Sequence, residues 1–211
     1  MSSQKATSPM ISAEPVAPKR PRGRMRVAAI LEAASDLFHD KGFDGTTMTE
    51  IAARSGTAIG SLYRFFPTKE VLADALLGDY FARLNERLDR IAAMAGQMEP
   101  DGLADALIDM ALELQAERAA AVILVEARRD GPYRRGFLRD FIRGRIAGIL
   151  CSAMPELPPD RAATVATLLQ HLLKTVPALT EEERTTGAPL LAELRRAARL
   201  YVRDAGRWVP V

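Results

Sequence analysis

Thr46-Thr47-Met48-Thr49-Glu50-Ile51-Ala52-Ala53-Arg54-Ser55-Gly56-Thr57-Ala58-Ile59-Gly60-Ser61-Leu62-Tyr63-Arg64-Phe65-Phe66-Pro67-Thr68-Lys69-Glu70 reads as two short helices that meet at a glycine turn. Thr47 is a good N-cap and Glu50, three positions on, reaches back to its amide, so a capping box opens the first helix. Ile51 and Ala52 then face inward. Gly56 ends this helix at a point where positive φ is cheap only for glycine. Ala58, Leu62 and Phe65 or Phe66 follow at helical spacing and bury against their neighbours, which leaves Ile59, Gly60, Ser61, Tyr63 and Arg64 toward solvent or a ligand. Gly60 costs the second helix roughly 1 kcal/mol relative to alanine, a loss most easily understood if something approaches the backbone closely there. A phosphodiester chain is the candidate. Pro67 and Thr68 break the helix, and Lys69 falls in the first turn of the next, where a phosphate meets both its ammonium and free amides. The stretch reads as a helix-turn-helix that enters DNA.

The pattern from Thr46 to Leu72, and above all Leu62-Tyr63-Arg64-Phe65-Phe66-Pro67-Thr68-Lys69-Glu70, resembles the DNA-binding domain of the tetracycline-repressor (TetR) family of bacterial transcriptional regulators. The resemblance covers about the first third of the chain, from Arg24 to about Leu77. It implies that the second short helix lies in the major groove and that the protein works as a dimer on a palindrome. By position it assigns Ile59, Gly60, Ser61 and Arg64 to the groove, with Thr47, Tyr63 and Lys69 on the phosphates. Two residues depart from the family pattern. Ala58 stands where a capping serine is frequent, which shifts the expected cap to Thr57, and Phe65 stands where tyrosine is frequent.

Working outward, residues 1–23 are rich in Ser, Pro, Ala and basic groups without periodicity, and are expected to form a disordered arm. Lys5, Lys19, Arg20, Arg22, Arg24 and Arg26 against Glu14 leave +5 over residues 1–26, in a chain whose net charge is only +2. Positive charge thus sits beside the reading element, and Arg22 and Arg24 are candidates for phosphate or minor-groove contact, as in homeodomain arms. From Arg24 to Lys41 the stripe Val27, Ile30, Leu31, Ala34, Leu37 and Phe38 makes a support helix, with Phe43 plugging the small core of a three-helix head over residues 24–70. A long helix from about Thr68 to Met94 spans roughly 40 Å at about 1.5 Å per residue, enough to join the head to a second helical domain over residues 71–211.

That domain is expected to hold helices at about 101–117, 119–129, 132–153, 160–177 and 187–205, with breaks at Gly131-Pro132, Pro155 to Pro159 and Pro177 to Pro189. Val165, Leu168, Leu169, Leu172, Leu173 and Val176, followed by Leu190, Leu191, Leu194, Ala197, Ala198 and Tyr201, form faces wider than one intramolecular contact needs. The excess points to a homodimer interface. A small-molecule site between these helices would be lined by Met94, Met98, Met110, Leu114, Ile123, Tyr133, Phe137 and Phe141, with Glu126, Arg128, Arg129 and His171 as polar neighbours.

The composition fits an all-α protein, nearly half apolar with few aromatic residues. One cysteine, Cys151, forms no internal disulfide, no apolar run approaches a membrane span, and no signal-peptide core is evident, so the expected setting is the cytoplasm with no membrane partner. Two histidines, His39 and His171, no metal-spaced cluster, no Gly-rich phosphate loop and no nucleophile elbow argue against an enzyme and against a cofactor or metal. The sequence therefore favours a homodimeric, ligand-responsive repressor on double-stranded DNA. The alternatives are a sequence-tolerant architectural DNA-binding protein, which the small net charge disfavours, and a helical enzyme.

Overall fold

Apolar residues recurring at three and four produce helix throughout the residues that the computed structural model describes, 21–127 and 131–207, with side chains described for all but 131–134. Among them are nine α-helices: α1 Pro21–Lys41, α2 Met48–Arg54, α3 Ile59–Phe65, α4 Lys69–Met94, α5 Pro100–Glu113, α6 Gln115–Glu126, α7 Gly131–Ala153, α8 Pro159–Thr186 and α9 Leu190–Ala205. A 3-10 turn, Ala95–Gln97, follows α4. The expected all-α class is what the chain adopts. Residues 1–20 of the expected arm, together with Arg128 and Arg129, lie outside the described residues.

The chain divides into two compact units between Asp79 and Tyr80, inside α4 rather than at the expected 70/71 boundary. Val71, Leu72, Ala73 and Leu77, all buried, belong to the first unit, so the first turns of α4 complete the head. Helix α1 already includes Pro21, three residues before the expected start, so Arg22 is a helical residue and not part of an arm.

Ile30, Phe38, Ile51, Leu62, Phe66 and Leu72 are wholly buried in the head, each contributing about 1.5–3 kcal/mol of transfer free energy. Phe43 stacks on Phe38 with ring centroids 5.5 Å apart, in the expected plugging position. Thr46 is buried, and its hydroxyl lies 2.8 Å from the Gly42 carbonyl and 3.1 Å from that of Leu37, which closes the end of α1.

In the second unit α8 departs from expectation, running through Pro177 to Thr186. The proline removes one donor, yet the helix propagates nine residues further and ends at Gly187, whose φ of 71° suits the left-handed cap. Glu183 also accepts the amide of Leu191 at 2.8 Å, tying the end of α8 to the start of α9. Helix α9 packs antiparallel on α5 through a three-rung ladder: Arg203 to Asp101, Arg199 to Asp105 with two bonds of 2.7 and 2.9 Å, and Arg195 to Asp109.

The expected dimer face is redrawn by burial. Val165, Leu169, Val176, Leu194 and Ala198 are core residues of the unit itself. Helices α8 and α9 turn these side chains inward, against each other and, for α9, against α5, so they are spent inside one chain. Leu168 is exposed, Leu172, Leu191 and Tyr201 are half-buried, and Leu200, which the sequence pattern passed over, is exposed. The expected ligand lining also fails to converge. Met110 and Leu114 are buried and Met98, Ile123 and Phe141 half-buried, whereas Met94 and Phe137 are exposed because they fall on the outer faces of their helices. His171 is exposed too, with Nδ1 2.7 Å from the carbonyl of Thr167 on its own helix. The side chain of Tyr133 lies outside the described residues.

Candidate nucleic-acid interface

The turn between α2 and α3 is built as the sequence predicts. Thr47 is extended at φ −111°, its hydroxyl accepts the Glu50 amide at 3.2 Å, and its own amide donates to Glu50 Oε2 at 2.9 Å. Lys41 reaches Glu50 Oε1 at 2.7 Å from the end of α1. That ammonium, with the amide and hydroxyl of Thr47, holds the Glu50 carboxyl down to about 2. Gly56 has φ of 61°, so the turn requires glycine.

Two assignments around the turn are corrected. Helix α3 is capped by Ala58, which offers no side-chain bond and is exposed rather than buried. Thr57 does not take over the cap. It is buried, with its hydroxyl 3.5 Å from the Ser55 carbonyl. The Thr57 amide donates to the Ala52 carbonyl at 2.9 Å, and this folds the side chain under the turn.

Leu62, Phe65 and Phe66 seat α3 on the core, and the opposite face presents Ile59, Gly60, Tyr63 and Arg64 to solvent, with Ser61 half-buried beside them. Tyr63 is 47% exposed, enough for its hydroxyl to reach a ligand in solvent. The Arg64 guanidinium lies over the ring of Phe65, 5.2 Å from its centroid, which restricts the side chain before anything binds. A Cβ added to Gly60 would meet nothing within 4 Å. The fold therefore does not require glycine at this position.

The phosphate-holding set is also redistributed. The Thr47 hydroxyl donates to Glu50 at 2.9 Å as well as accepting from it, so it is committed to the cap. Lys69 turns inward. Its ammonium donates to the Phe43 carbonyl at 2.7 Å and the Thr46 carbonyl at 2.9 Å and lies 4.4 Å from the centroid of the Phe43 ring. Two of its three protons fasten the loop between α1 and α2, where the Phe43 carbonyl also accepts the Thr46 amide at 3.3 Å. Thr68, read from the sequence only as a helix breaker, caps α4 by accepting the amide of Val71 at 3.2 Å.

Arg26 was not singled out by sequence. It is exposed on α1 and donates to the Ser61 hydroxyl at 3.3 Å, bringing a guanidinium to the edge of α3. Its position in the basic run before the motif is the signal that could have found it. Arg22, one turn earlier, and Arg24, half a turn earlier, are also exposed on this helix. The face is thus cationic and hydroxylated, with donors and no acidic side chain on α3 itself.

A short helix seated on a capped partner through a glycine turn, with such an outer face, has the form of a helix-turn-helix DNA-binding head. More narrowly, residues 30–76 match the family described as bacterial regulatory proteins, tetR family. It is 38% identical over 73 residues to the HTH-type transcriptional repressor KstR of Mycolicibacterium smegmatis, a match covering 35% of each protein. It is 44% identical over 71 residues to the HTH-type transcriptional repressor Rv3405c of Mycobacterium tuberculosis, covering 33% of this chain and 38% of that one. These matches thus span little more than a third of the relatives' length. Solved structures extend the likeness in fold to most of the chain. A tetR-family regulatory protein from Rhodococcus RHA1 superposes with a TM-score of 0.61 at 20% identity, covering 86% of this chain and 95% of that one. AmtR of Mycobacterium smegmatis does so with a TM-score of 0.58 at 25% identity, over 89% and 90%.

Proposed function

We propose that this regulator is a homodimeric repressor that reads a palindromic operator through α3 and is released by a small molecule bound in its second unit. The observation that carries the DNA reading is the outer face of α3, where Gly60 is open and Tyr63, Arg64 and Arg26 offer donors around it. Arg64, with Ile59 and Ser61, reads base edges, and Tyr63 and Arg26 hold phosphates. Such contacts divide the work as DNA interfaces generally do, phosphates fixing register and base edges supplying sequence. Lys69 offers a phosphate at most its third ammonium proton, since the other two hold the loop.

Dimerisation is supported by the exposed side of α8, where Thr164, Leu168, His171 and Thr175 carry no formal charge apart from His171 when protonated, together with Leu200 on α9. In a two-fold dimer the two α3 helices enter successive major grooves about 34–36 Å apart, or a multiple of that. An effector acts only by binding the non-reading conformation more tightly. Helix α4, which contributes to both units, is the element available to connect them.

The test is selection of binding sites from random duplex DNA by the purified protein at two salt concentrations. Enrichment of a palindrome at both supports a dimeric sequence reader. Salt-sensitive binding without enrichment refutes it in favour of an architectural protein that coats DNA through phosphates. Leu168→Glu, with sedimentation velocity as the readout, addresses the dimer, which is expected to dissociate.

A further inference from the structure

The second unit neutralises most of its arginines in pairs: Arg83 with Glu117, Arg87 with Glu113, Arg145 with Asp89, and the three of α9 with α5. One group of cations breaks that habit. Arg139 and Arg143 lie one turn apart on α7, and Gln170 and Lys174 lie one turn apart on α8. Gln170, only 4% exposed, locks the two helices together. Arg143 Nε donates to its Oε1 at 2.8 Å, and its Nε2 donates to the Arg139 carbonyl at 3.1 Å. Lys174 follows Gln170 on the same face of α8 and so stands beside Arg143.

Arg118, half-buried on α6, is the third helix's contribution. Burial first, then the charges of Arg143, Arg118 and Arg139, push the Lys174 ammonium below the usual lysine range. Against these four cations stands Asp140, mostly exposed, 3.0 Å from Arg139 Nε and 4.0 Å from an Arg143 terminal nitrogen. Among the described residues, neither Arg118 nor Lys174 has a carboxylate partner within ion-pair distance. Like charges brought together by three helices raise the energy of the free protein, and an anion placed among them recovers that energy.

We propose that Arg118, Arg139, Arg143 and Lys174 form an anion subsite that binds the carboxylate or phosphate of a small amphipathic molecule. Arginine forks suit either group. Val122, one turn beyond Arg118 on α6 and 40% exposed, offers an apolar neighbour for a short tail. The regulatory consequence, though not the binding itself, rests on the reading that the second unit takes an effector.

Titration calorimetry of the full-length protein without DNA, using octanoate, octyl phosphate and 1-octanol, tests the subsite. At least one anion is expected to bind tenfold or more tightly than the alcohol, and the preferred anion distinguishes carboxylate from phosphate. Lys174→Ala and Arg139→Ala remove exposed side chains away from the core and are expected to weaken that anion at least tenfold, with unliganded Tm unchanged. Equal binding of the alcohol, no binding of either anion, or wild-type affinity in both variants overturns the proposal. Operator affinity is measured separately with and without the bound anion. Anion binding that leaves operator affinity unchanged keeps the subsite and removes this anion as an effector, while absence of any operator bears on the DNA reading alone.

Discussion

Gly60→Ala separates what the fold needs from what a ligand needs. The glycine sits inside α3 at ordinary helical φ, and an added Cβ would meet nothing within 4 Å. With neither strain nor collision to oppose it, the substitution recovers helix propensity of up to about 0.8–1 kcal/mol, the helix-interior value, from the second position of α3. In a chain of this size a gain of about 1 kcal/mol raises Tm by roughly 2–4 °C. Operator binding should move the other way. If a phosphate or base edge packs against the bare backbone, the methyl group holds it off, and affinity is expected to fall at least tenfold, about 1.4 kcal/mol. Gly148→Ala on α7 is the control, since that glycine is also exposed in a helix with nothing within 4 Å of an added Cβ, and it should stabilise without affecting DNA binding. Differential scanning calorimetry and fluorescence anisotropy on a selected operator give the two numbers. Unchanged or tighter DNA binding by Gly60→Ala would refute the close approach, and a lowered Tm would refute the account of the free helix.

Arg64→Ala should relax preference at particular base pairs by about 1–3 kcal/mol, read by competition with single-base operator variants. A uniform loss at every position would move Arg64 to a phosphate. Lys69→Met should cost the head about 2 kcal/mol or more, because two charge-assisted bonds to the Phe43 and Thr46 carbonyls disappear. An unchanged Tm in thermal denaturation would show that the ammonium serves DNA alone. Glu50 has its folded pKa lowered from 4.5 to about 2, so its contribution to stability is fully present above pH 4.5 and lost as pH falls toward 2. Glu50→Gln should therefore flatten the stability profile over that window, followed by denaturant titration at several pH values, and an unaltered slope would remove the carboxylate from the acid response.

The head was legible where local chemistry decides conformation. The Thr47-Glu50 box and Gly56 depend on residues a few positions apart, so spacing alone finds them. Lys69 escaped the sequence reading because its partners lie 23 and 26 residues away, on the loop between α1 and α2 that only the fold brings to it. Arg26 meets Ser61 across 35 residues for the same reason. In the second unit an apolar face read from sequence is silent about its partner. Val165, Leu169 and Val176 looked available to a second copy but are spent inside one chain. Pro177 reads in sequence as a helix break, yet it removes only one donor and the surrounding turns of α8 carry the helix past it.

The ladder between α5 and α9 is periodic, with acids at 101, 105 and 109 facing arginines at 203, 199 and 195. A periodic ladder cannot keep its own place. If α9 slid one turn along α5 in either direction, two of the three rungs would form again, so the charges hold the helices together while barely discriminating between alignments. Selection of the native alignment falls to the uneven apolar relief beneath, where Leu194, Ala198, Val202 and Ala205 alternate large and small against the buried side of α5. A substitution that evened out this relief, such as Ala198→Leu, would threaten the choice of alignment more than the loss of any single rung.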